Sequence, residues 1–408
     1  MSKLPDIQLP THLKERLAQG HPWVYRNHLP PNLRLPAGSW VRARCGGWSG
    51  YGLWDTHGQI AIRIFSERQV PDARWVREQV QAAWELRAPL RNGGMTAYRW
   101  LFGEGDGLPG LTVDLYGDWA VVQTYMDTTG NLLDWLLTAL KDVAPLLGVL
   151  LRTRECEEEE PASDQRPTTT EAVSQKARRL SVLWGNAPPK NLIVREHGLQ
   201  FYADLRAGQK TGLFLDHREN RRYVEGLSSS RSVLNCFAYT GAFSLYALRG
   251  GAHTVVSADI GKGLAEAAEA NMALNQLDAR KHSFITSDCF ELLARYAEEG
   301  RRFDLVILDP PSFAKSKQNR YAALRAYTRL NALGMRCVHP GGLLATASCT
   351  SQISPEVFKE LLSAAGVSAG RRLQIFHEAG QPIDHPAPAH FPEGRYLKFV
   401  VGRVGERV

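Results

Sequence analysis

The stretch FDLVILDPPSF, residues 303–313, decides the fold of this chain. Its four consecutive large aliphatic residues are typical of a strand that is buried on both faces of a parallel sheet. Because proline cannot donate to a strand ladder, the strand must end at Asp309, on the carboxyl edge of the sheet. Ligands of open α/β sheets bind at that edge. An acid, two rigid prolines and Phe313 therefore predict a site for a planar heterocycle.

The composition is that of a globular protein with more than one domain. A chain of 408 residues is too long for a single ordinary hydrophobic core. Of its residues, 44% are hydrophobic and 22% are charged. No apolar run is long enough to span a membrane, and the first residues lack the apolar core of a secretory signal, which predicts a cytoplasmic protein without a membrane partner. The net charge of +7 favours a polyanionic partner. The six cysteines lack paired metal-ligand spacing, so they are interpreted as free thiols and no metal is predicted.

Residues 1–70 predict a small β-rich module. Strand candidates at 39–44 and 60–65 alternate with glycine-rich turns. Nine Lys and Arg residues stand against four acidic ones, interleaved with the aromatic residues Trp23, Tyr25, Trp40, Trp48, Tyr51 and Trp54. Such a module offers charge to phosphates and ring faces to bases, although core packing explains any single ring equally well.

Residues 71–190 predict an α+β module without recognisable chemistry. A helix over about 72–90, a strand at 119–125 and an apolar-periodic helix over about 130–147 are expected. The module has no clustered His or Cys and no paired carboxylates. Residues 154–178 are rich in Glu, Pro, Ser and Thr, which predicts a solvated loop, and an insertion explains it more readily than a functional acidic tail.

Residues 191–408 alternate between strand and helix patterns. Predicted strands at 232–237, 254–258 and 283–286 are separated by predicted helices at 242–249 and 262–275. Successive β-α-β units of this kind specify a parallel, doubly wound sheet with right-handed crossovers. The predicted fold class is therefore α/β: a Rossmann-like sheet preceded by a small β-rich barrel and an α+β module.

The first β-α-β unit has the layout of a nucleoside site. Asp259, at the end of the second strand, follows Gly241 by 18 residues, close to the offset of about 20 at which an acid reaches ribose hydroxyls. Because Gly241 is the one glycine in the turn, a pyrophosphate cradle is missing, and S-adenosylmethionine fits better than a dinucleotide. Asp288, Cys289 and Phe290 are placed to meet the adenine. For both acids, the alternative is a helix N-cap.

Three motifs carry a family resemblance. NCFAYTGAFS (235–244) resembles motif I of class I S-adenosylmethionine-dependent RNA methyltransferases, and GQKTGLFLDHR (208–218) and DPPSFAKS (309–316) match the same branch. QGHPWVYRN (19–27) resembles the opening of a PUA domain, a small RNA-binding barrel. The whole chain resembles the bacterial large-subunit ribosomal RNA cytosine-carbon-5 methyltransferases. The chain departs from the family pattern at the acidic loop 154–178, and Asn235 stands where many class I enzymes carry an acid.

The resemblance implies partners and site residues. The expected partner is 23S ribosomal RNA or a large-subunit precursor, and the sequence leaves a monomer and a homodimer open. The implied cofactor contacts are Arg218, Asn235, Phe237, Tyr239, Thr240, Gly241, Asp259, Ile260, Asp288, Cys289, Phe290 and Asp309. The implied RNA and base contacts are Lys210, Pro310, Phe313 and Lys315.

Cys349 decides the predicted target atom, because an Asp-Pro-Pro-aromatic motif also occurs in enzymes that methylate exocyclic amines. The apolar stretch LLATASCTS (343–351) predicts a strand that brings Cys349 to the same sheet edge. A thiolate that adds to carbon 6 of cytosine makes carbon 5 nucleophilic, and loss of the carbon-5 proton then expels the thiol. The resemblance assigns the nucleophile to Cys349, while Asp309 would hold and polarise the base and Pro310 and Phe313 would pack it.

Two other interpretations stay open. The chain could methylate amines of guanine or adenine with Cys349 as a small buried hydrophobe, or it could be an inactive RNA-binding assembly factor. Some related cytosine methyltransferases have a second cysteine directly after the motif IV proline, where this chain has Pro311 and Ser312. One cysteine would therefore have to act alone. The sequence does not identify the group that accepts the carbon-5 proton.

Overall fold

Four β-sheets with flanking helices make up the part of the chain that the structure describes. In this computed structural model the described residues are 4–127, 131–152, 180–206, 208, 211–313 and 319–407. The predicted loop at 154–178, Cys156, Lys210 and Lys315 lie outside the described residues. None of the helices within those ranges is long and apolar enough to cross a membrane.

The first sheet contains five strands from the N-terminal module. In spatial order these are β1 (Asp6–Gln8), β3 (Trp40–Cys45), β4 (Trp48–Trp54), β5 (Ile60–Ser66) and β2 (Trp23–Tyr25), with α1 (Lys14–Ala18) beside them. Trp54 is buried in the core, whereas the other aromatic residues predicted to stack on bases are half-buried. Trp23 Nε1 donates to Glu104 Oε1 of the next module at 2.8 Å, and Trp40 packs edge-on against Phe65. Some of these rings therefore pack inside the protein and are not part of an open surface for bases.

The second sheet belongs to the central module. Its strands, β6 (Ala97–Phe102), β7 (Leu111–Tyr116), β8 (Trp119–Thr124), β9 (Gly148–Arg152) and β10 (Leu180–Gly185), lie in the order β10-β9-β8-β7-β6, with helices α2 (Ala73–Leu86), α3 (Ala88–Asn92) and α4 (Asn131–Val143). The Asp72 carboxylate accepts from the Trp75 amide and caps α2. Val76, Val80 and Ala83 follow helical spacing and form its buried face.

A two-stranded hairpin joins the central module to the C-terminal one. Its strands are β11 (Leu192–Glu196) and β12 (Leu199–Ala203). The buried Val194 and Phe201 belong to a hydrophobic cluster that also contains Tyr116 of β7 and Leu245 of the C-terminal module. The two modules therefore share one continuous apolar core.

The fourth sheet is seven-stranded, in the order β15-β14-β13-β16-β17-β19-β18. Its strands are β13 (Ser232–Cys236), β14 (Thr254–Asp259), β15 (His282–Thr286), β16 (Phe303–Leu308), β17 (Val338–Ser348), β18 (Arg371–Ala379) and β19 (Lys398–Glu406). The helices are α5 (Arg218–Gly226), α6 (Ala242–Arg249), α7 (Leu264–Leu274), α8 (Cys289–Glu298), α9 (Arg320–Arg336) and α10 (Pro355–Ala369).

The predicted parallel, doubly wound sheet is confirmed for β13 to β17. Leu305, Val306, Ile307 and Leu308 of β16 are all 0% exposed, as expected for a strand covered on both faces. One feature was not predicted: β19 runs antiparallel between β17 and β18. The carboxyl ends of the parallel strands therefore meet at one edge, and the amino end of β19 joins them there.

Candidate active site

The loop after β13 is strained and is held by an acid from the neighbouring strand. Phe237 and Tyr239 have positive φ angles of 60° and 48°, which cost about 1 kcal/mol or more each for a residue with a side chain. The carboxylate of Asp259 accepts from the amide of Tyr239 through Oδ2 at 2.9 Å and from that of Gly261 through Oδ1 at 3.0 Å. Since Gly263 occupies the N-cap of α7, Asp259 does not cap that helix. It holds the loop in shape.

Gly241 completes this turn at a place where a side chain does not fit. Its φ is +80°, and an added Cβ would lie 3.2 Å from Ala268 Cβ on α7. The glycine therefore allows α6 to start close to α7. Its neighbour Thr240 is half-buried, and its carbonyl accepts from Asn271 at 3.3 Å.

The end of β15 supplies a cap, a buried thiol and an aromatic ring. Asp288 Oδ1 accepts from the amides of Phe290 and Glu291 at 2.7 and 3.1 Å, so Asp288 is the N-cap of α8. The Cys289 thiol is 3% exposed and accepts from the Phe237 amide at 3.3 Å, which ties α8 to the strained loop. Phe290 is half-buried and its ring centroid lies 6.4 Å from that of Phe237.

Asn235 lies beneath the loop rather than on its surface. The side chain is 1% exposed, and Nδ2 donates to Ser244 Oγ at 2.9 Å. The chain of hydrogen bonds continues from Ser244 to Ser257 at 2.7 Å and to His282 Nε2 at 2.8 Å. Burial lowers the pKa of His282 to about 4. The buried Asn235, Ser244 and Ser257 and the half-buried His282 form a polar network beneath the loop.

Asp309 follows β16 and faces a histidine. The side chain is 20% exposed, and Oδ1 lies 3.2 Å from Nε2 of His217, which is buried. This approach is not aligned as a hydrogen bond. The other ring nitrogen, Nδ1, lies 3.1 Å from the Asn220 amide nitrogen.

The motif after Asp309 continues the aromatic surface. Pro310 is buried and Phe313 is half-buried. The Phe313 ring centroid lies 5.9 Å from that of Phe290 and 4.7 Å from that of Tyr327 on α9. Phe313 therefore connects the aromatic residues beside the nucleoside-site loop with the residues around Cys349. Ile260, directly after Asp259, is 58% exposed and adds an aliphatic surface at the same edge.

Cys349 follows β17 and differs from the other cysteines that the structure describes. It is half-buried, whereas Cys45, Cys236, Cys289 and Cys337 are buried. Burial raises the pKa of Cys337 to about 12, and the hydrogen bond with Cys289 and burial raise the pKa of Cys236. Thiols of that kind are inert at neutral pH. Cys349 is therefore the described cysteine with a surface that a substrate can reach.

Tyr327 links Cys349 to Asp309. Burial raises the pKa of the Tyr327 phenol, and the negative charges of Cys349 and Asp309 raise it further. Cys349 and Asp309 therefore both affect the pKa of the Tyr327 phenol. This is expected when two neighbouring parallel strands end at the same edge of the sheet. The strand register pairs Leu308 with Thr346.

Comparisons with known proteins agree with this architecture. A PUA-like domain model matches residues 7–67, and a model of S-adenosylmethionine-dependent methyltransferases matches residues 135–378. Ribosomal RNA large subunit methyltransferase I of Aeromonas salmonicida is 36% identical over 396 residues, which cover 96% of this chain and 97% of that protein. The protein of the same name in Shewanella denitrificans is 35% identical over 405 residues, covering 98% of this chain and 99% of that protein.

This chain belongs to the ribosomal RNA large subunit methyltransferase I family of S-adenosylmethionine-dependent methyltransferases. Its fold is also that of SMU.776, solved in complex with SAH, with a TM-score of 0.84 at 22% identity, covering 98% of this chain and 100% of that one. A second structure, from Streptococcus mutans, has a TM-score of 0.83 at 21% identity and the same coverage. The resemblance to this family and the prediction of S-adenosylmethionine as cofactor are confirmed.

The described residues fit this cofactor. A nucleoside without phosphates needs an acid near its ribose and flat apolar surfaces near its base, and the edge supplies Asp259, Ile260 and Phe290. These contacts remain predictions at the level of single residues.

Arg218 has a structural partner. Its guanidinium is 0% exposed and donates to both carboxylate oxygens of Asp384, at 2.9 and 2.8 Å. Burial by itself would raise the pKa of Asp384, yet His385 and Arg218 hold it below its usual value. Arg218 therefore fixes the start of α5 behind the site.

Sequence reasoning missed three residues at or near the site. His217 faces Asp309, Asp384 pairs with Arg218, and Lys398 of β19 pairs in register with Ser348, the residue before Cys349. The sequence offered a signal for His217 only, since it lies inside the motif 208–218. Asp384 and Lys398 come near the site through the antiparallel return of the chain, which no local pattern predicted.

Proposed function

We propose that this protein methylates carbon 5 of a cytosine in large-subunit ribosomal RNA, using Cys349 as a covalent nucleophile. The observation that carries the proposal is the exposure of Cys349 at the same sheet edge as Asp309, whereas the other described cysteines are buried. The names of the relatives support large-subunit ribosomal RNA as the substrate. The PUA-like match over residues 7–67 supports an RNA substrate in general.

The proposed reaction starts at Cys349. Its thiolate forms a bond to carbon 6 of the cytosine, and the electrons of the carbon 5–carbon 6 double bond become available at carbon 5. S-adenosylmethionine, when bound, supplies a methyl group on a positively charged sulfur. Carbon 5 takes this methyl group as the sulfur–methyl bond breaks and its electron pair stays on sulfur; carbon 5 then loses its proton to a base, the double bond forms again and the Cys349 thiolate leaves.

Asp309 and the aromatic edge orient the base in this proposal. The Asp309 carboxylate accepts from the exocyclic amine of cytosine and stabilises charge that develops on the ring. Pro310 and Phe313 pack against the ring. Lys210 and Lys315, which lie outside the described residues, are proposed phosphate contacts. A target cytosine within a stack must be flipped out first, at a cost of a few kcal/mol.

The cofactor contacts divide into direct and supporting ones. The residues proposed to line the cofactor site are Phe237, Tyr239, Thr240, Gly241, Asp259, Ile260, Phe290 and Asp309. The remaining predicted residues lie deeper: Asn235 and Cys289 are buried, Asp288 caps α8 and Arg218 pairs with Asp384. Their role in this proposal is to hold the elements that carry the direct contacts.

The decisive experiment replaces Cys349 and uses an RNA that contains 5-fluorocytosine. The native protein should form a covalent complex with this RNA that survives denaturing electrophoresis, because fluorine at carbon 5 cannot leave as a proton does. C349A should form no adduct and should lose methyl transfer to cytosine RNA. C45A, at a buried cysteine of the N-terminal module, is the matched control and should retain both.

The other interpretations give different results in the same experiment. Full methyl transfer by C349A, without an adduct in the native protein, would indicate amine methylation. No binding of S-adenosylmethionine by calorimetry and no methylated RNA would indicate an assembly factor. Either result contradicts the proposed function.

A further inference from the structure

Lys398 is a buried cation next to Cys349. It is the first residue of β19, is 4% exposed and pairs in register with Ser348 of β17. Its Nζ donates to the backbone carbonyl of Thr350 and, at 2.8 Å, to that of Tyr396. These contacts hold the ammonium group at the carboxyl end of β17, against the backbone of the residue that follows Cys349.

Lys398 lacks a carboxylate partner among the described residues. Among the described residues, its Nζ forms no ion pair within 4 Å. Both of its hydrogen-bond acceptors are neutral carbonyl oxygens. Burial of a cation without a counter-ion is unfavourable. Burial lowers the pKa of Lys398 to about 8, and the negative charge of Cys349 is the effect that opposes this shift. Electrostatic attraction between two groups is mutual. A thiolate at Cys349 stabilises the charged form of Lys398, and the Lys398 ammonium therefore stabilises the thiolate.

Among the described residues near Cys349, two tyrosines and one acid do not provide this charge. Tyr327 on α9 and Tyr396 before β19 are phenols whose pKa values burial raises, so both are neutral near neutral pH. Tyr396 also donates to Asp216 at 2.7 Å. Asp309 is an acid, and its negative charge disfavours a second anion nearby.

One other cation acts on this region. Arg99 influences Tyr396, but its guanidinium is already paired with both oxygens of Asp114, at 2.7 and 3.0 Å. Of these two cations, Lys398 is therefore the one without a described carboxylate partner.

We propose that Lys398 is a positioning residue that holds Cys349 as the thiolate. This inference rests on the proposed function, because a thiolate at this position matters only if Cys349 is the nucleophile. Ionisation of Cys349 transfers its proton to solvent and leaves an ammonium–thiolate pair. When the sulfur adds to carbon 6, its negative charge passes into the ring, and it returns to sulfur when the thiol is expelled.

The test measures the pH dependence of alkylation of Cys349 by iodoacetamide, followed by mass spectrometry of the peptide that contains it. The full-length protein carries C156S, so that alkylation at that position cannot contribute to the signal. K398M and K398Q should alkylate about tenfold more slowly near neutral pH, with the midpoint about one pH unit higher, because the charge is lost. K398R keeps the charge and should retain a midpoint close to that of the native protein.

Two controls make the result specific. K359M removes an exposed lysine of α10 that is paired with Glu378, and should leave the alkylation profile unchanged. K398Q keeps a donor for the Thr350 carbonyl without the charge. A native midpoint in K398Q would overturn the inference, because it would show that the hydrogen bonds, and not the charge, are what Lys398 supplies.

Alkylation needs neither RNA nor cofactor, so this test is separate from that of the proposed function. A shifted midpoint together with an absent 5-fluorocytosine adduct would overturn the carbon-5 chemistry and leave the ammonium–thiolate pair standing. A normal adduct with an unshifted midpoint would overturn the role of Lys398 alone. Thermal unfolding of each variant shows whether the fold is retained, and K398R and K398Q keep the question decidable if K398M unfolds.

Discussion

The polar side-chain network beneath the nucleoside-site loop contains a group that titrates in acid. Asn235, Ser244, Ser257 and His282 form a continuous hydrogen-bonded network under the loop. Asn235 Oδ1 is buried and has no hydrogen-bond partner within the described structure. Because a network of this kind tolerates added charge poorly, the ionisation of His282 should destabilise the sheet that carries it.

The protonation of His282 should make the fold less stable in mild acid. Its pKa in the fold is about 4, against 6.5 for an unperturbed histidine. Between these two values the unfolded chain binds the additional proton, so stability falls as the pH drops through this window. The loss from this group should be about 2 kcal/mol between about pH 7 and about pH 5.

Urea unfolding of the native protein and of H282Q at both pH values checks this prediction. Glutamine can still bond to Ser257 but does not titrate, so the variant should lose less stability in acid than the native protein. An equal pH dependence in the two proteins would show that His282 does not contribute.

Among the secondary-structure elements, α9 has the charge distribution of a phosphate-binding surface. Its 17 residues, RYAALRAYTRLNALGMR, contain four arginines and no acidic residue. Tyr327, Leu330 and Met335 form the buried face. Arg325, Arg329 and Arg336 are exposed, and Arg329 lies over the Phe290 ring at 5.5 Å. This arginine face therefore continues from the aromatic edge of the site.

Replacement of Arg325, Arg329 and Arg336 by glutamine should weaken RNA binding and make it less dependent on salt. For single-stranded RNA, the slope of log affinity against log salt should fall by about 0.7 for each phosphate that the variant no longer neutralises. Filter binding over a range of salt concentrations measures this slope.

The matched control for the arginine face is R280Q, whose guanidinium is exposed and already paired with Asp278. It should leave the slope unchanged. An unchanged slope in the triple variant would show that α9 does not contact the RNA backbone.

In the molecule as a whole, the segment 381–397 holds three proposed units together: residues 1–70, 71–190 and 191–408. Asp384 accepts from Arg218 of α5 through its carboxylate and from Arg87 of the central module through its carbonyl at 2.9 Å. Glu393 binds Arg16 of the N-terminal module at 2.8 Å. The Phe391 ring lies 4.6 Å from that of Trp23. The connection between β18 and β19 therefore contacts all three units, in addition to the direct contacts between them.

Removal of the Asp384 charge should destabilise the whole chain. D384N removes the bidentate partner of the fully buried Arg218 guanidinium, which keeps the single contact of its Nε with Glu219 Oε1 at 3.0 Å, at a cost of about 3 kcal/mol. Urea unfolding followed by tryptophan fluorescence measures the loss. D278N, in the exposed pair with Arg280, is the control and should leave the unfolding midpoint in place. A midpoint for D384N equal to that of the native protein would contradict the proposed role of this segment.

The sequence by itself determined the elements with a strong local pattern. The aliphatic run of β16 predicted a strand covered on both faces, and the prolines after it predicted the strand end at Asp309, as the structure shows. The acid at the end of β14 and the glycine turn before α6 were predicted in the same way, because periodicity and proline chemistry act over a few residues. Membership of the methyltransferase family followed from motifs of this local kind.

Only the tertiary structure decided what the polar residues of these motifs contact. Arg218 pairs with Asp384, 166 positions away, and Asn235 points into a buried network. Lys398 reaches the carbonyl of Thr350 because β19 inserts antiparallel beside β17. A buried charge or polar group without a partner is unfavourable, so the folded core must bring a partner to it. No short stretch of sequence contains that information.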